Sequence, residues 1–179
     1  GGTGGNNMFT YSNSSLMDGL KISASYTPSD GATQVESSDD YGFEYTGVDG
    51  LKIGAAFGDD NTSSTAGESK STMYAVYTFD SFSVGFQASE NDSETANSDV
   101  DFTALGVSYA VSDDMSVSLN TSTHEYESST LSDQEAMGVS VSYTMGSMTL
   151  TANHNSVDNV AGTSTNDRSG YAMSVAFAF

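Results

Sequence analysis

The chain has 179 residues, with 24 acidic and 4 basic side chains and a formal net charge of −20. Affinity for phosphate backbones comes from Lys and Arg, so this balance excludes nucleic acid as a partner, and it excludes docking on anionic lipid through a basic patch. Cysteine is absent, which removes disulfides and thiolate chemistry, and no apolar run is long enough for a membrane-spanning helix.

The 10 Tyr and 9 Phe set the chain apart from disordered acidic sequences, which carry few aromatics. Low average hydropathy does not exclude a membrane either, because a barrel strand shows only every second residue to lipid. The opening Gly1-Gly2-Thr3-Gly4-Gly5 has no preceding strand and no following Lys, so it reads as a flexible segment rather than a phosphate loop. Residues 1–7 show no signal peptide, and the chain is expected to be a mature form or a fragment.

In chain order, eleven strands are predicted: 7–12, 19–27, 40–47, 51–58, 71–79, 82–90, 101–111, 115–126, 136–145, 148–156 and 169–179. Short turns are predicted at 13–18, 48–50, 80–81, 112–114 and 146–147, with centres about 33 residues apart. Between them lie long polar stretches at 28–39, 59–70, 91–99, 127–134 and 157–168. The unit is therefore strand, short turn, strand, long loop, with strands long enough to cross a tilted bilayer path.

The strands alternate. Tyr171, Met173, Val175, Phe177 and Phe179 share one face, and Gly170, Ala172, Ser174, Ala176 and Ala178 share the other. Met137, Val139, Val141, Tyr143 and Met145 oppose Gly138, Ser140, Ser142 and Thr144 in the same way. A soluble sandwich also alternates. Here, however, the second face is filled with Gly, Ala, Ser and Thr, as in a polar lumen, and the strict asymmetry of turns and loops would be broken by a Greek key. Tyr77, Phe79, Phe82, Tyr109, Tyr143, Phe177 and Phe179 fall where the aromatic girdle of a membrane band is expected. The predicted fold is an all-β, transmembrane, antiparallel up-and-down β-barrel, in a single domain over residues 1–179.

Eighteen acidic residues lie in or beside the long loops and five in the short turns, so that only Glu44 falls inside a predicted strand away from its ends, and the apolar faces are expected to carry no charge. Lys21, Glu44 and Lys52 lie on the small, polar face of three neighbouring strands and form a candidate charge cluster. The polar face as a whole gives the candidate lining residues Lys21, Ser23, Ser25, Glu44, Lys52, Ser83, Gln87, Ser108, Ser116, Asn120, Thr149, Thr151 and Asn153. The acidic loops suggest at most weak binding of Ca²⁺ or Mg²⁺, since no helix–loop–helix ligand spacing is present. His124 and His154 stand apart from metal-ligand spacing, and no nucleophile-elbow or H-E-x-x-H motif occurs, so no enzymatic activity and no resident cofactor are expected.

The segment "NNMFTYSNSSLMDGLKISASYTPSD" resembles the middle of the general trimeric porins of Gram-negative bacteria. It has a tyrosine-containing strand (Phe9-Thr10-Tyr11), an Asn/Ser-rich turn (Asn13 to Leu16), then Asp18-Gly19-Leu20 and an alternating strand from Lys21 to Tyr26. The terminal "GYAMSVAFAF" is similar to the porin last strand, whose final Phe the assembly machinery reads. The resemblance implies a sixteen-stranded barrel of which these are the carboxy-terminal eleven strands. The chain is then expected to be amino-terminally incomplete, without the constriction loop. The arginines that usually face that loop cannot be carried over, because Arg168 is the only arginine and is predicted in the last long loop. It further implies an outer-membrane location among lipid and lipopolysaccharide, a homotrimer, and passive diffusion of ions and small hydrophilic solutes with a weak cation preference. The alternative is a barrel that serves as a structural or adhesive surface protein through its acidic loops.

Overall fold

Eleven strands follow one another along the chain: β1 (Phe9–Asn13), β2 (Leu20–Thr27), β3 (Ser38–Val48), β4 (Leu51–Asp60), β5 (Glu68–Phe79), β6 (Phe82–Ser93), β7 (Val100–Ser112), β8 (Met115–Tyr126), β9 (Gln134–Met145), β10 (Met148–Asp158) and β11 (Arg168–Phe177). The structure is a computed structural model that describes residues 8–29, 37–60 and 67–178. The Gly-rich opening, loop residues 30–36 and 61–66, and the terminal Phe179 lie outside the described residues.

All eleven strands join one sheet in sequence order, and every neighbouring pair is antiparallel. This is the meander that alternating short turns and long loops produce, because each strand pairs with the one that its turn or loop returns. Among the described residues β1 and β11 are each paired on one side only.

The register fixes the faces. In β8, β9 and β10, Leu119 stands opposite Val139 and Val139 opposite His154, while Ser118 stands opposite Ser140 and Ser140 opposite Asn153. Carried from strand to strand, this gives one apolar face and one face of small and polar side chains. Between them there is no core: no hydrophobic side chain is buried among the described residues. Tyr171 is 87% exposed and Met173 74% exposed. A single-layer sheet with an exposed apolar face requires an apolar surrounding, since water would penalise each such side chain by about 1.5–3 kcal/mol.

At the short-turn end Tyr77, Phe79, Phe82, Tyr109 and Tyr143 share the apolar face, and the Phe82 and Tyr109 rings lie 4.7 Å apart; Phe179 falls outside the described residues. Offset or tilted ring pairs at this distance are favourable.

The structure corrects the charge map. Strands β3 to β10 have 10–13 residues and run on past the apolar stretch on the long-loop side. Asp39, Asp59, Glu68, Asp92, Glu135 and Asp158, expected in or beside the long loops, therefore lie in strands, and Asp40, Glu90, Asp101 and Glu125 continue the strands at their predicted ends. Glu90, Asp101 and Glu125 even stand directly opposite one another on the same side of the sheet as Phe86, Leu105 and Leu119. Backbone pairing needs only N–H and C=O groups, so the ladder continues where the side chains already meet water. Lys70 and Arg168, expected in loops, also belong to strand ends.

The two faces give a direct test. Val141→Arg, in the middle of β9 on the apolar face, is expected to cost about 2–4 kcal/mol in urea unfolding from lipid vesicles. Ser140→Arg, one residue away on the other face, is expected to cost much less.

Candidate pore-lining face

Strand parity places every candidate of the polar face on one side of the sheet. Lys21 opposes Glu44, Glu44 opposes Gly54, Gly54 opposes Tyr74 and Tyr74 opposes Gln87. Ser23 opposes Gly42. Lys52 opposes Val76, and that row passes through Gly85 and Gly106 to Asn120, Gly138, Asn155 and Gly170. Ser83, Ser108, Ser116, Thr149, Thr151 and Asn153 share the same face. Lys21, Ser23, Glu44, Lys52 and Gln87 lie together on β2 to β6, and Asn120 and Asn153 lie apart on β8 and β10.

The charge cluster forms with one addition. Lys52 Nζ is 2.8 Å from Glu44 Oε2. The phenol of Tyr74 also donates a hydrogen bond to Glu44 Oε2, at 2.5 Å, and Lys52 Nζ sits 5.8 Å from the centre of the Tyr74 ring, within cation–π range. Lys21 stands opposite Glu44 in register but beyond ion-pair distance. The glutamate side chain is about one third exposed, so the pair remains in contact with the aqueous side. An exposed, solvent-screened pair of this kind adds little to stability, so its weight lies in the charge that it places on this face.

Gly54 makes the cluster possible. A Cβ on that residue would lie 2.6 Å from Tyr74 Cε1 and 2.7 Å from Cζ. Without a side chain there, the tyrosine ring lies flat across β4 and reaches Glu44 on β3. Tyr74 is the residue that sequence reasoning missed. Its signal is parity: Met73, Ala75, Tyr77 and Phe79 take the apolar face, which leaves Tyr74 on the other, directly opposite a glycine.

A neutral counterpart occupies the other half of the sheet. A Cβ on Gly138 would lie 2.6 Å from both Asn120 Oδ1 and Asn155 Oδ1, so two carboxamides close over this glycine. Asn155 Nδ2 donates to Asn153 Oδ1 at 3.3 Å. Gln87 Nε2 donates to Ser89 Oγ at 3.1 Å. Asn155 was not among the sequence candidates.

All four basic residues of the chain lie on the polar face. Lys70 opposes Gly58 and Asn91 and pairs with Glu68 at 2.7 Å; Arg168 opposes Val157. His124 is on this face too, with its ring 4.7 Å from Phe102, whereas His154 lies on the apolar face, 4.3 Å from the Tyr171 ring. Among the described residues no three His, Asp or Glu side chains are grouped to hold a metal ion.

A family model for Gram-negative porins matches residues 1–131. The chain belongs to the Gram-negative porin family. Solved outer-membrane proteins share its fold. OmpF of Salmonella typhi, solved with daunomycin, superposes with a TM-score of 0.71 at 14% identity, covering 95% of this chain and 61% of that one. The trimer form of OmpT, an outer-membrane protein of Vibrio cholerae, gives 0.67 at 12% identity, covering 96% and 64%. A mutant porin of Rh. blastica gives 0.66 at 16% identity, covering 97% and 68%. No curated protein sequence matches. The porin chain thus spans about 61–68% of the length of these barrels, and its place is the bacterial outer membrane.

The role of Gly54 can be checked against an internal control. Nothing lies within 4 Å of a Cβ built on Gly106, so Gly106→Ala is expected to gain about 0.5–1 kcal/mol from reduced chain entropy. Gly54→Ala is expected to destabilise instead, because the Tyr74 ring must move. Thermal or urea unfolding of the two variants in one lipid system makes the comparison.

Proposed function

We propose that this porin forms a section of the wall of a water-filled channel, through which ions and small hydrophilic solutes diffuse passively across the outer membrane. The observation that carries the reading is the division of one continuous sheet into an apolar face and a face of Ser, Thr, Asn, Gly and paired charges, in a chain of the Gram-negative porin family. In lipid every strand edge must be hydrogen-bonded. The outer sides of β1 and β11 are therefore taken to be paired in a closed wall.

On this reading Lys21, Ser23, Glu44, Lys52, Gln87, Asn120 and Asn153 line the pore, together with Tyr74 and Asn155. The described side chains of the wall are nearly balanced in charge, since all four cations share it with Asp40, Glu44 and Glu68. The weak cation preference then comes from the acidic loops and strand ends at the mouth, which raise the local cation concentration. Ca²⁺ and Mg²⁺ are held there as a diffuse atmosphere, in contact with the lipopolysaccharide of the outer leaflet. A homotrimer is the proposed assembly, supported by the trimer form of OmpT.

The test is conductance across planar bilayers under a salt gradient. Discrete, non-rectifying unit steps with a reversal potential on the cation-selective side are expected, and failure to conduct would remove the channel reading. Glu44→Gln is expected to move the reversal potential toward anions, because Lys52 and Lys21 then face the lumen without their counter-charge.

A further inference from the structure

The segment between β10 and β11 does not project freely from the sheet. Its ends are drawn together: Asn159 N–H donates to Asp167 Oδ1 at 3.0 Å and Val160 N–H donates to the Asn166 carbonyl at 2.9 Å. A short 3₁₀ turn at Val160–Gly162 is held within it, with Asn159, Ala161, Gly162 and Thr165 at positive φ. Thr165 N–H donates to Asn159 Oδ1 at 3.2 Å. This is a compact loop of the closed-end type, whose own contacts define its shape.

Its seat is the polar-face side of the long-loop end of β8 and β9, together with the connection between those strands. Ala161 N–H donates to Gln134 Oε1 at 2.8 Å. A Cβ on Gly162 would come 3.2 Å from Tyr126 Cε2 and 3.0 Å from Leu131 Cβ. Gln134 stands opposite His124, and Tyr126 lies two residues beyond His124 on the same strand, so both anchors share the side of the sheet that carries Asn120 and Glu44. Two further hydrogen bonds complete the seat. Ser132 N–H donates to the Gly162 carbonyl at 2.9 Å, and Asn159 Nδ2 donates to the Asp133 carbonyl at 2.9 Å. Gln134 is itself held from behind, with Nε2 3.4 Å from His124 Nδ1. An outward-splayed loop would make none of the contacts to Tyr126 and Gln134.

We propose that the loop 159–167 is an inward-folded collar that narrows the long-loop mouth of the channel and sets the upper size of solute that enters. This rests on the channel reading above. The part of the loop turned to solvent, Thr163, Ser164 and Thr165, is exposed and uncharged. The collar therefore acts by width, whereas the charges of the wall and mouth act on ion sign, two separable levers on pore selectivity.

Deletion of residues 161–165 is the direct test, because Val160 and Asn166 are already hydrogen-bonded to each other and the join is short. The deleted residues carry no charge. The expected result is a higher unit conductance in planar bilayers and faster liposome swelling with larger sugars, with the cation-to-anion permeability ratio unchanged. Gln134→Ala is expected to give a smaller change in the same direction. As a readout independent of the deletion's folding, Ser164→Cys in this cysteine-free chain, treated with a bulky thiol reagent, is expected to lower unit conductance. Unaltered conductance and swelling in a folded deletion variant, or no effect of the reagent at Ser164→Cys, would overturn the collar and leave the channel reading standing. Absence of conductance in the unaltered protein would overturn both.

Discussion

Backbone pairing is the interaction on which this structure depends. No hydrophobic side chain among the described residues is buried, so the usual interior source of stability is absent. What remains is a ladder in which each strand satisfies its neighbours' N–H and C=O groups, together with a surrounding that accepts the apolar face. In hydrocarbon an unsatisfied backbone group costs several kcal/mol, which makes the ladder obligatory and the sheet continuous. The same requirement explains why strands of 10–13 residues outlast their apolar stretch. Pairing does not depend on what the side chains are, and it stops only when the loops take the chain away.

Freed from core packing, the polar face is shaped by local cover. Two of its glycines, Gly54 and Gly138, are buried, and each lies under a larger neighbour across the strand. Over Gly54 the cover is a tyrosine that ties a glutamate to the wall; over Gly138 it is a pair of carboxamides. The glycines are thus gaps that let side chains lie along the sheet instead of standing away from it. The result is a charged sector on β2 to β5 and a neutral, hydrogen-bonding sector on β8 to β10. In the proposed channel, hydrated ions and uncharged polar solutes meet different surfaces, and the proposed collar over β8 and β9 stands above the neutral one.

Much of this was legible in the sequence. Period-two alternation and turn residues located all eleven strands, the order of short turns and long loops, and the shared face of Lys21, Glu44, Lys52, Gln87, Asn120 and Asn153. The membership of Lys70, Asp92, Asp158 and Arg168 in strands was not legible, because alternation of hydropathy ends before pairing does. Tyr74 was hidden for another reason. Its partner is a glutamate two strands away, reached over Gly54, and parity within β5 gives only its face, not the glycine it covers or the carboxylate it reaches. The seat of the loop 159–167 depends on Gln134, Tyr126 and Leu131, which are 27 or more residues from the groups they hold, and no local pattern reports it.

The claim beneath all the others is that one face meets water and the other lipid in the assembled protein. Single cysteines along β9 test it, since the chain has none of its own. In intact outer membranes, cysteines at Ser140, Ser142 and Thr144 are predicted to react with a small, membrane-impermeant thiol reagent, and those at Val139, Val141 and Tyr143 only with a lipid-soluble one. Uniform labelling along the strand, or the opposite alternation, would contradict the account.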